Sequence, residues 1–337
     1  MTSYGQVAVV VPTHQRRALA LEAVRSVLAQ SYADWRCIVV DNGSSDGTAE
    51  AIRAIRDERI SVIDHAAPLR PGPARNLGLA AAQGAQWVAF LDSDDLWAPD
   101  KVELQLAALA ALPGTGWSST GWAHFKDYKV ISARQFDPNP VPKTGPQRVE
   151  GERIFEKLHD DDEIPIATSS VIVSRELVNK TGDFDADMKF GSDWDYWLRL
   201  ARESPMAYLD LPMVAFRTWE GQMTLSHPGF SETREEWSRN LAEAERRRLP
   251  RHRAIWEQSL AASQLLGGER LQAAKSYTRA AFFGHAPGQL AYALACLAYP
   301  AAATKRIEKI ARTRSPLEQW RAAVEPWLSS YRADTTT

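Results

Sequence analysis

The alternation of strand-like and helical segments over the first hundred residues constrains this chain more than any other feature. Val7-Ala8-Val9-Val10-Val11 is a β-branched run, and the segment behind it carries Leu21, Val24 and Leu28 at helical spacing. Arg36-Cys37-Ile38-Val39-Val40, Ile60 to Ile63 and Trp87 to Leu91 repeat the strand signal, while Thr48 to Asp57 and Ala74 to Ala82 repeat the helical one. This order predicts an α/β fold: a mostly parallel, doubly wound sheet with helices on both faces. Ligands of such a sheet lie beyond the carboxyl ends of its strands. The residues there are Pro12-Thr13-His14-Gln15-Arg16, Asp41-Asn42-Gly43-Ser44-Ser45-Asp46-Gly47-Thr48 and Asp92-Ser93-Asp94-Asp95, which are expected along one rim.

Further along, the Pro-rich and polar stretch from Asp137 to Pro146 reads as a loop or lid. Strand character returns at Thr168 to Val173, a helix is expected from Asp193 to Arg202, and a short strand from Met213 to Thr218. After Pro228 the pattern is helical, which divides the chain into a domain over 1–230 and a helical C-terminal region over 231–337. Gly267 to Ala274, ahead of Tyr277 and Ala280, resembles one helical-hairpin repeat, too little to define a solenoid. Charge changes at the same boundary: 17 Lys/Arg against 11 Asp/Glu from residue 231 onward, 23 against 31 before it. A basic tail suits peripheral contact with an anionic membrane, and ordinary solvated helices carry the same surplus.

The formal charge of -2 provides no basic field, so no nucleic-acid partner is expected. Cys37 and Cys296 lie in apolar contexts without CxxC spacing, which argues against a disulfide framework or zinc site. No basic region and long apolar core precede Val7, so no secretory signal is expected. Leu290 to Ala303 is short for a bilayer span and contains Pro300. The expected compartment is the cytoplasm, with the inner face of the membrane as a peripheral location.

Three carboxylates over Asp92-Ser93-Asp94-Asp95 repel one another unless a cation or donors neutralise them. Such oxygen ligands suit Mn2+ or Mg2+, and equally an acidic turn that caps the next helix. Asp41 ends a strand where a carboxylate can meet a base imide or a ribose hydroxyl. Arg75, in Pro71-Gly72-Pro73-Ala74-Arg75-Asn76-Leu77-Gly78, reads either as a diphosphate ligand or as a surface cation. No G-x-G-x-x-G follows the first strand and no G-x-x-x-x-G-K-[ST] occurs, which removes the main signatures of dinucleotide oxidoreductases and P-loop phosphotransferases.

Taken together, Val9 to Arg16, Val39 to Thr48, Gly72 to Gly78 and Phe90 to Asp95 resemble, in order and spacing, glycosyltransferase family 2 over roughly the first 230 residues. The resemblance implies a GT-A fold, a nucleotide-sugar donor (a UDP-sugar first), a glycan or glycolipid acceptor and a divalent cation, Mn2+ or Mg2+. It assigns Pro12, Thr13 and Arg16 to the nucleotide cradle, Asp41 to the base, Arg75 to the donor side, Asp92 to the ribose or sugar, and Asp94 to the metal. Ser192-Asp193-Trp194-Asp195 is similar to the family's acidic pattern ahead of a helix, with Ser in place of the first acid, and makes Asp193 the catalytic base; Asp195 then caps or solvates the helix. Arg217 and His227 fall where family members close a segment over the diphosphate, and a surface Arg and a packed His are the plain alternatives. Of the six tryptophans Trp97, Trp117, Trp122, Trp194, Trp197 and Trp219, Trp194 is the first expected to touch a ligand. Two rivals stand beside this reading. One is a non-catalytic nucleotide-sugar binding module with a partner-binding helical tail. The other is a metal-dependent nucleotidyltransferase, which calls for a Gly-rich loop that Pro12 to Arg17 lacks.

Overall fold

The computed structural model describes residues 3–134, 145–160, 166–188, 191–219, 268–284, 287–302 and 317–331, with isolated helical positions between 254 and 265. It divides into two compact units: 1–154 with 166–222 and 316–337, and 155–165 with 223–315.

The first unit is built on a ten-stranded sheet. The strands are β1 (Val7–Thr13), β2 (Trp35–Asp41), β3 (Ile60–Asp64), β4 (Trp87–Phe90), β5 (Leu96–Trp97), β6 (Trp117–Lys126), β7 (Lys129–Arg134), β8 (Gln147–Val149), β9 (Ile172–Ser174) and β10 (Met206–Arg217). Their order is β3-β2-β1-β4-β9-β6-β10-β5, with β7 beside β6 and β8 beside β10. β3, β2, β1 and β4 are parallel; β9 enters antiparallel between β4 and β6, so β6 and β10 recover the direction of β4. The parallel order is thus confined to the first four strands and the β6–β10 pair. Val7 to Val11 of β1 are fully buried, as expected of a parallel strand covered on both faces.

Helices α1 (Arg17–Leu28), α2 (Thr48–Arg53), α3 (Pro71–Ala81) and α4 (Lys101–Ala111) link the strands of the first half. α3 begins three residues earlier than the apolar periodicity indicates, because Pro71 occupies its first turn, where a missing N–H is harmless. A Cβ on Gly78 would stand 2.2 Å from a Val10 methyl, so glycine lets α3 lie against β1. Thr168 to Val173, expected as a strand, opens instead as a 3-10 turn over Thr168–Ser170 before β9. Beyond α5 (Gly151–Asp160), α6 (Arg175–Thr181) and α7 (Ser192–Glu203) follow, and β10 is twelve residues long where a short strand is expected.

The second unit contains α8 (Arg270–Gly284) and α9 (Gly288–Ala298), which pack as a helical hairpin with Ala273, Tyr277, Ala293 and Cys296 buried between them. The final helix, α10 (Leu317–Leu328), belongs to the first unit. Its Trp320, Val324 and Leu328, with Tyr331 just beyond, are buried against Leu96, Phe125, Val130 and Ala215. The division between sheet and appendage therefore does not run from residue 231 to the end: the last turns of chain return to the sheet because their apolar stripe has its partners there.

Candidate active site

The carboxyl ends of β1, β2, β4, β6 and β10 share one rim. Thr13 and Asp41 sit opposite each other in the β1–β2 ladder, and both are buried. Asp41 accepts from the backbone N–H of Ser44 at 2.9 Å, which closes the turn after β2. Asn42 exchanges bonds with Leu69, donating to its carbonyl and accepting from its N–H, and so fixes the approach to α3. Gln15, held at φ 52, joins the loops after β1 and β2: its N–H reaches Ser44 Oγ and its side chain exchanges bonds with Ser45. A positive φ at a residue other than Gly, Asn or Asp is uncommon and is sustained here by the bonds on both sides. The Thr13 hydroxyl is buried and has no hydrogen-bond partner among the described residues.

In the acidic turn each carboxylate has its own donors. Asp92 Oδ1 accepts from Arg75 Nη2 at 2.7 Å. Asp94 Oδ2 accepts from Arg16 Nη1 and from the Trp219 indole, each at 3.1 Å, and the Arg16 guanidinium lies over the Trp219 ring. Asp95 is fully enclosed, accepting from Ser169 Oγ at 2.6 Å and from the Arg217 N–H at 3.2 Å. Burial pushes Asp94 above the ordinary carboxylate range, with Arg16 opposing and Asp92 adding to the rise. Burial, then Asp94 and Asp92, push Asp95 well above it. Arg75 is itself buried, and burial alone would lower its pKa; Asp92, Asp193 and Asp94 outweigh that and raise it. It is therefore no surface cation but the hub of three carboxylates from two elements.

Arg217 is partly buried and held on several sides: Nε donates to the Asp94 carbonyl at 2.9 Å, Nη2 to Glu22 at 2.5 Å, and Tyr128 Oη donates to the same Glu22. These bonds tie it beneath the acidic turn rather than leaving it at the surface. His227 lies outside the described residues.

Asp193 stands at the start of α7, half-buried, with Oδ1 accepting from the Trp194 N–H and Oδ2 from Thr168 Oγ1, both at 3.0 Å. Gly72 makes room for this end of α7, since a Cβ there would lie 3.2 Å from Ser192 Oγ. Asp195 points elsewhere, paired with Arg199 at 2.8 Å, whose other nitrogens bond the Thr181 and Asp183 carbonyls. Trp194 is buried, as are Trp97, Trp117, Trp122 and Trp197; Trp219 is the tryptophan that meets the acidic turn. Trp117 stacks on Trp197 at 6.2 Å, Trp122 packs on His124 and Phe216, and Trp97 donates to the Ser169 carbonyl.

Among the described residues, no three or more His, Cys, Asp or Glu are grouped to hold an ion by themselves. The oxygen donors of Asp92 and Asp94 fit instead an ion that takes most of its ligands from phosphate and water, as Mg2+ and Mn2+ do.

Residues 8–168 match the family model described as glycosyl transferase family 2. Over those residues the chain carries a glycosyl transferase family 2 match. An Escherichia coli relative, the UDP-Glc:alpha-D-GlcNAc-diphosphoundecaprenol beta-1,3-glucosyltransferase WfgD, is 23% identical over 231 residues, 68% of this chain and 83% of that protein. An uncharacterised glycosyltransferase of Rickettsia conorii is 41% identical over 225 residues, 66% of this chain, and the match spans only 34% of that longer protein. Residues 1–349 of Staphylococcus aureus TarS, solved with UDP-GlcNAc, superpose with a TM-score of 0.58 at 16% identity, covering 91% of this chain and 92% of that one, a likeness of GT-A fold.

Glu22, Thr168, Ser169 and Asn42 were not singled out by the sequence reading. The local signal for the second and third is a run of three hydroxyl residues, Thr168-Ser169-Ser170, ahead of the apolar Val171-Ile172-Val173.

Proposed function

We propose that this chain moves a sugar from a nucleoside diphosphate donor, a UDP-sugar first, to a hydroxyl of a glycan or glycolipid acceptor. One observation carries the reading: a buried arginine, Arg75, under the combined charge of Asp92, Asp94 and Asp193. A group this costly to bury is retained where opposite charges meet it, and such clusters concentrate at functional sites. WfgD, whose name specifies a UDP-glucose donor and a diphosphoundecaprenol-linked acceptor, supports the donor and acceptor classes.

In this reading Pro12, Thr13 and Arg16 cradle the nucleotide, and the Thr13 hydroxyl, without a partner among the described residues, bonds it. Asp41 meets the base, Asp92 the ribose or sugar, and Arg75 the diphosphate. Arg217 supports the acidic turn from beneath rather than touching the donor. Asp94, with Asp92, would hold Mn2+ or Mg2+, which supplies positive charge to the diphosphate when bound. Asp193 accepts the proton of the acceptor hydroxyl as its oxygen bonds the anomeric carbon. The bond from that carbon to the diphosphate breaks on the opposite face, so configuration inverts, and Arg75 opposes the negative charge that leaves.

The test is release of nucleoside diphosphate from UDP-glucose, UDP-N-acetylglucosamine and GDP-mannose by the full chain with Mn2+. Asp193→Asn should keep donor affinity and lower turnover by about 10²–10⁴. Near-normal turnover in Asp193→Asn with loss in Asp195→Asn moves the base to Asp195. Binding without turnover, whatever acceptor is added, identifies the non-catalytic module instead.

The same reading includes a cytoplasmic enzyme in peripheral contact with the membrane through the C-terminal region. Leu290, Leu294 and Leu297 of α9 recur on one helical face and are exposed, as are Tyr299 and, on α8, Phe282. In sequence, residues 304–314 follow with five basic residues, Lys305, Arg306, Lys309, Arg312 and Arg314, and one acid, Glu308, and lie outside the described residues. Apolar face and basic run together suit an anionic interface. Among the described residues no helix is long and apolar enough to cross a membrane. The basic cluster from Arg246 to Arg253 lies outside the described residues.

A further inference from the structure

The 3-10 turn Thr168–Ser170 carries no charge and is buried throughout, yet it touches both halves of the site. Its first hydroxyl, Thr168 Oγ1, donates to Asp193 Oδ2 at 3.0 Å. Its second, Ser169 Oγ, accepts from the Asp92 N–H at 3.0 Å and donates to Asp95 Oδ2 at 2.6 Å. The remaining bonds anchor the turn from behind. Trp97 Nε1 donates to the Ser169 carbonyl at 2.7 Å, Gln105 Nε2 to the Ser170 carbonyl at 2.9 Å, and Ser119 and Ser170 share a hydroxyl contact at 2.7 Å. Trp97 belongs to β5, Gln105 to α4 and Ser119 to β6, so three elements hold the turn while its two adjacent side chains reach Asp193 and the acidic turn.

We propose that this turn is the gauge between donor and base. Thr168 is a positioning residue for Asp193, Ser169 one for the acidic turn, and their adjacency sets one relative to the other. Oδ1 accepts from the Trp194 N–H and Oδ2 from Thr168 Oγ1, so both oxygens of the Asp193 carboxylate are held. Losing the hydroxyl frees the carboxylate to turn. Misplacement by fractions of an ångström is enough to slow a proton transfer that must coincide with bond formation. The proposal rests on the reading of Asp193 as the base.

The two side chains predict different kinetic signatures in diphosphate release from UDP-glucose or UDP-N-acetylglucosamine by the full chain. Thr168→Val should lower kcat by about tenfold or more with donor KM and melting temperature unchanged, and Thr168→Ser should restore it. Ser169→Ala should act mainly on donor KM. Placed in Asp193→Asn, Thr168→Val should cause no further loss, since both act through one group. If Thr168→Val melts below the assay temperature, Thr168→Ala replaces it in the same comparison. The proposal is overturned if the folded variant turns over at the wild-type rate while Asp193→Asn does not, or if Thr168→Ser loses as much as Thr168→Val. Near-normal turnover of Asp193→Asn sinks the base assignment itself, an outcome that the single Asp193 variant reports without reference to Thr168.

Discussion

The last helix offers the sharpest test of how this fold is held. Trp320, Val324, Leu328 and Tyr331 are 4%, 0%, 0% and 7% exposed, and their partners Leu96, Phe125, Val130 and Ala215 come from β5, which follows the acidic turn, from β6 and β7, and from β10, which ends on Arg217. α10 also serves the backbone of β7: Glu325 Oε1 accepts from the Val130 N–H and Arg321 Nε donates to the Val130 carbonyl, each at 3.1 Å. Truncating a buried tryptophan to alanine costs about 3–5 kcal/mol and a buried leucine about 2–5. Trp320→Ala alone should therefore lower the melting temperature by about 10 °C, taking roughly 2–4 °C per kcal/mol for a unit of this size. Trp320→Ala with Leu328→Ala removes on the order of 5–10 kcal/mol, comparable with the whole stability of a domain, about 5–15 kcal/mol. A chain ending at Ser315, which leaves the second unit whole, should fail to fold its sheet or melt far below the full chain. Circular-dichroism melts and diphosphate release at low temperature measure both effects. A truncated chain that melts with the wild type and still turns over donor would refute the reasoning, as would Trp320→Ala melting within 2 °C of the parent.

Lys101 is fully buried against the Trp97 ring and Gln105 Oε1, and burial holds its pKa well below the ordinary lysine value. Between that lowered value and about 10.4 the unfolded chain binds the extra proton, so stability should rise with pH by up to about 1.4 kcal/mol per unit. Urea titrations from pH 7 to 9 should show this gain in the wild type relative to Lys101→Met; parallel curves would contradict it. Asp94→Ala should abolish the Mn2+-dependent part of donor binding in calorimetry, and unchanged Mn2+ stimulation would remove Asp94 from the metal. Full-length protein should sediment with phosphatidylserine vesicles at low salt, and Leu294→Ser with Leu297→Ser should weaken this; if the wild type never sediments, the membrane reading fails.

Local period and turn chemistry were sufficient for the first half of the sheet. Val7 to Val11, Ile38 to Val40 and Val88 to Leu91 are apolar runs bounded by Pro, Gly and Asp, and these cues act within a few residues of one another. For the same reason Thr13, Asp41, Arg75, Asp92 and Asp94 could be gathered on one rim before any geometry was known: each follows a strand or opens a helix. Sequence spacing could not reveal which carboxylate meets which cation. Arg16 with Asp94, Arg75 with Asp92 and Arg217 with Glu22 are separated by 78, 17 and 195 residues, and only the sheet order brings them together. The antiparallel insertion of β9 between β4 and β6 is likewise a choice among pairings that short apolar runs leave open, and it is what sets Thr168 and Ser169 between Asp193 and the acidic turn. α10 makes the point at the greatest range. The helical pattern after Pro228 includes it, but such a pattern does not name the surface that covers the helix, and that surface, formed by β5, β6, β7 and β10, exists only once the sheet has assembled.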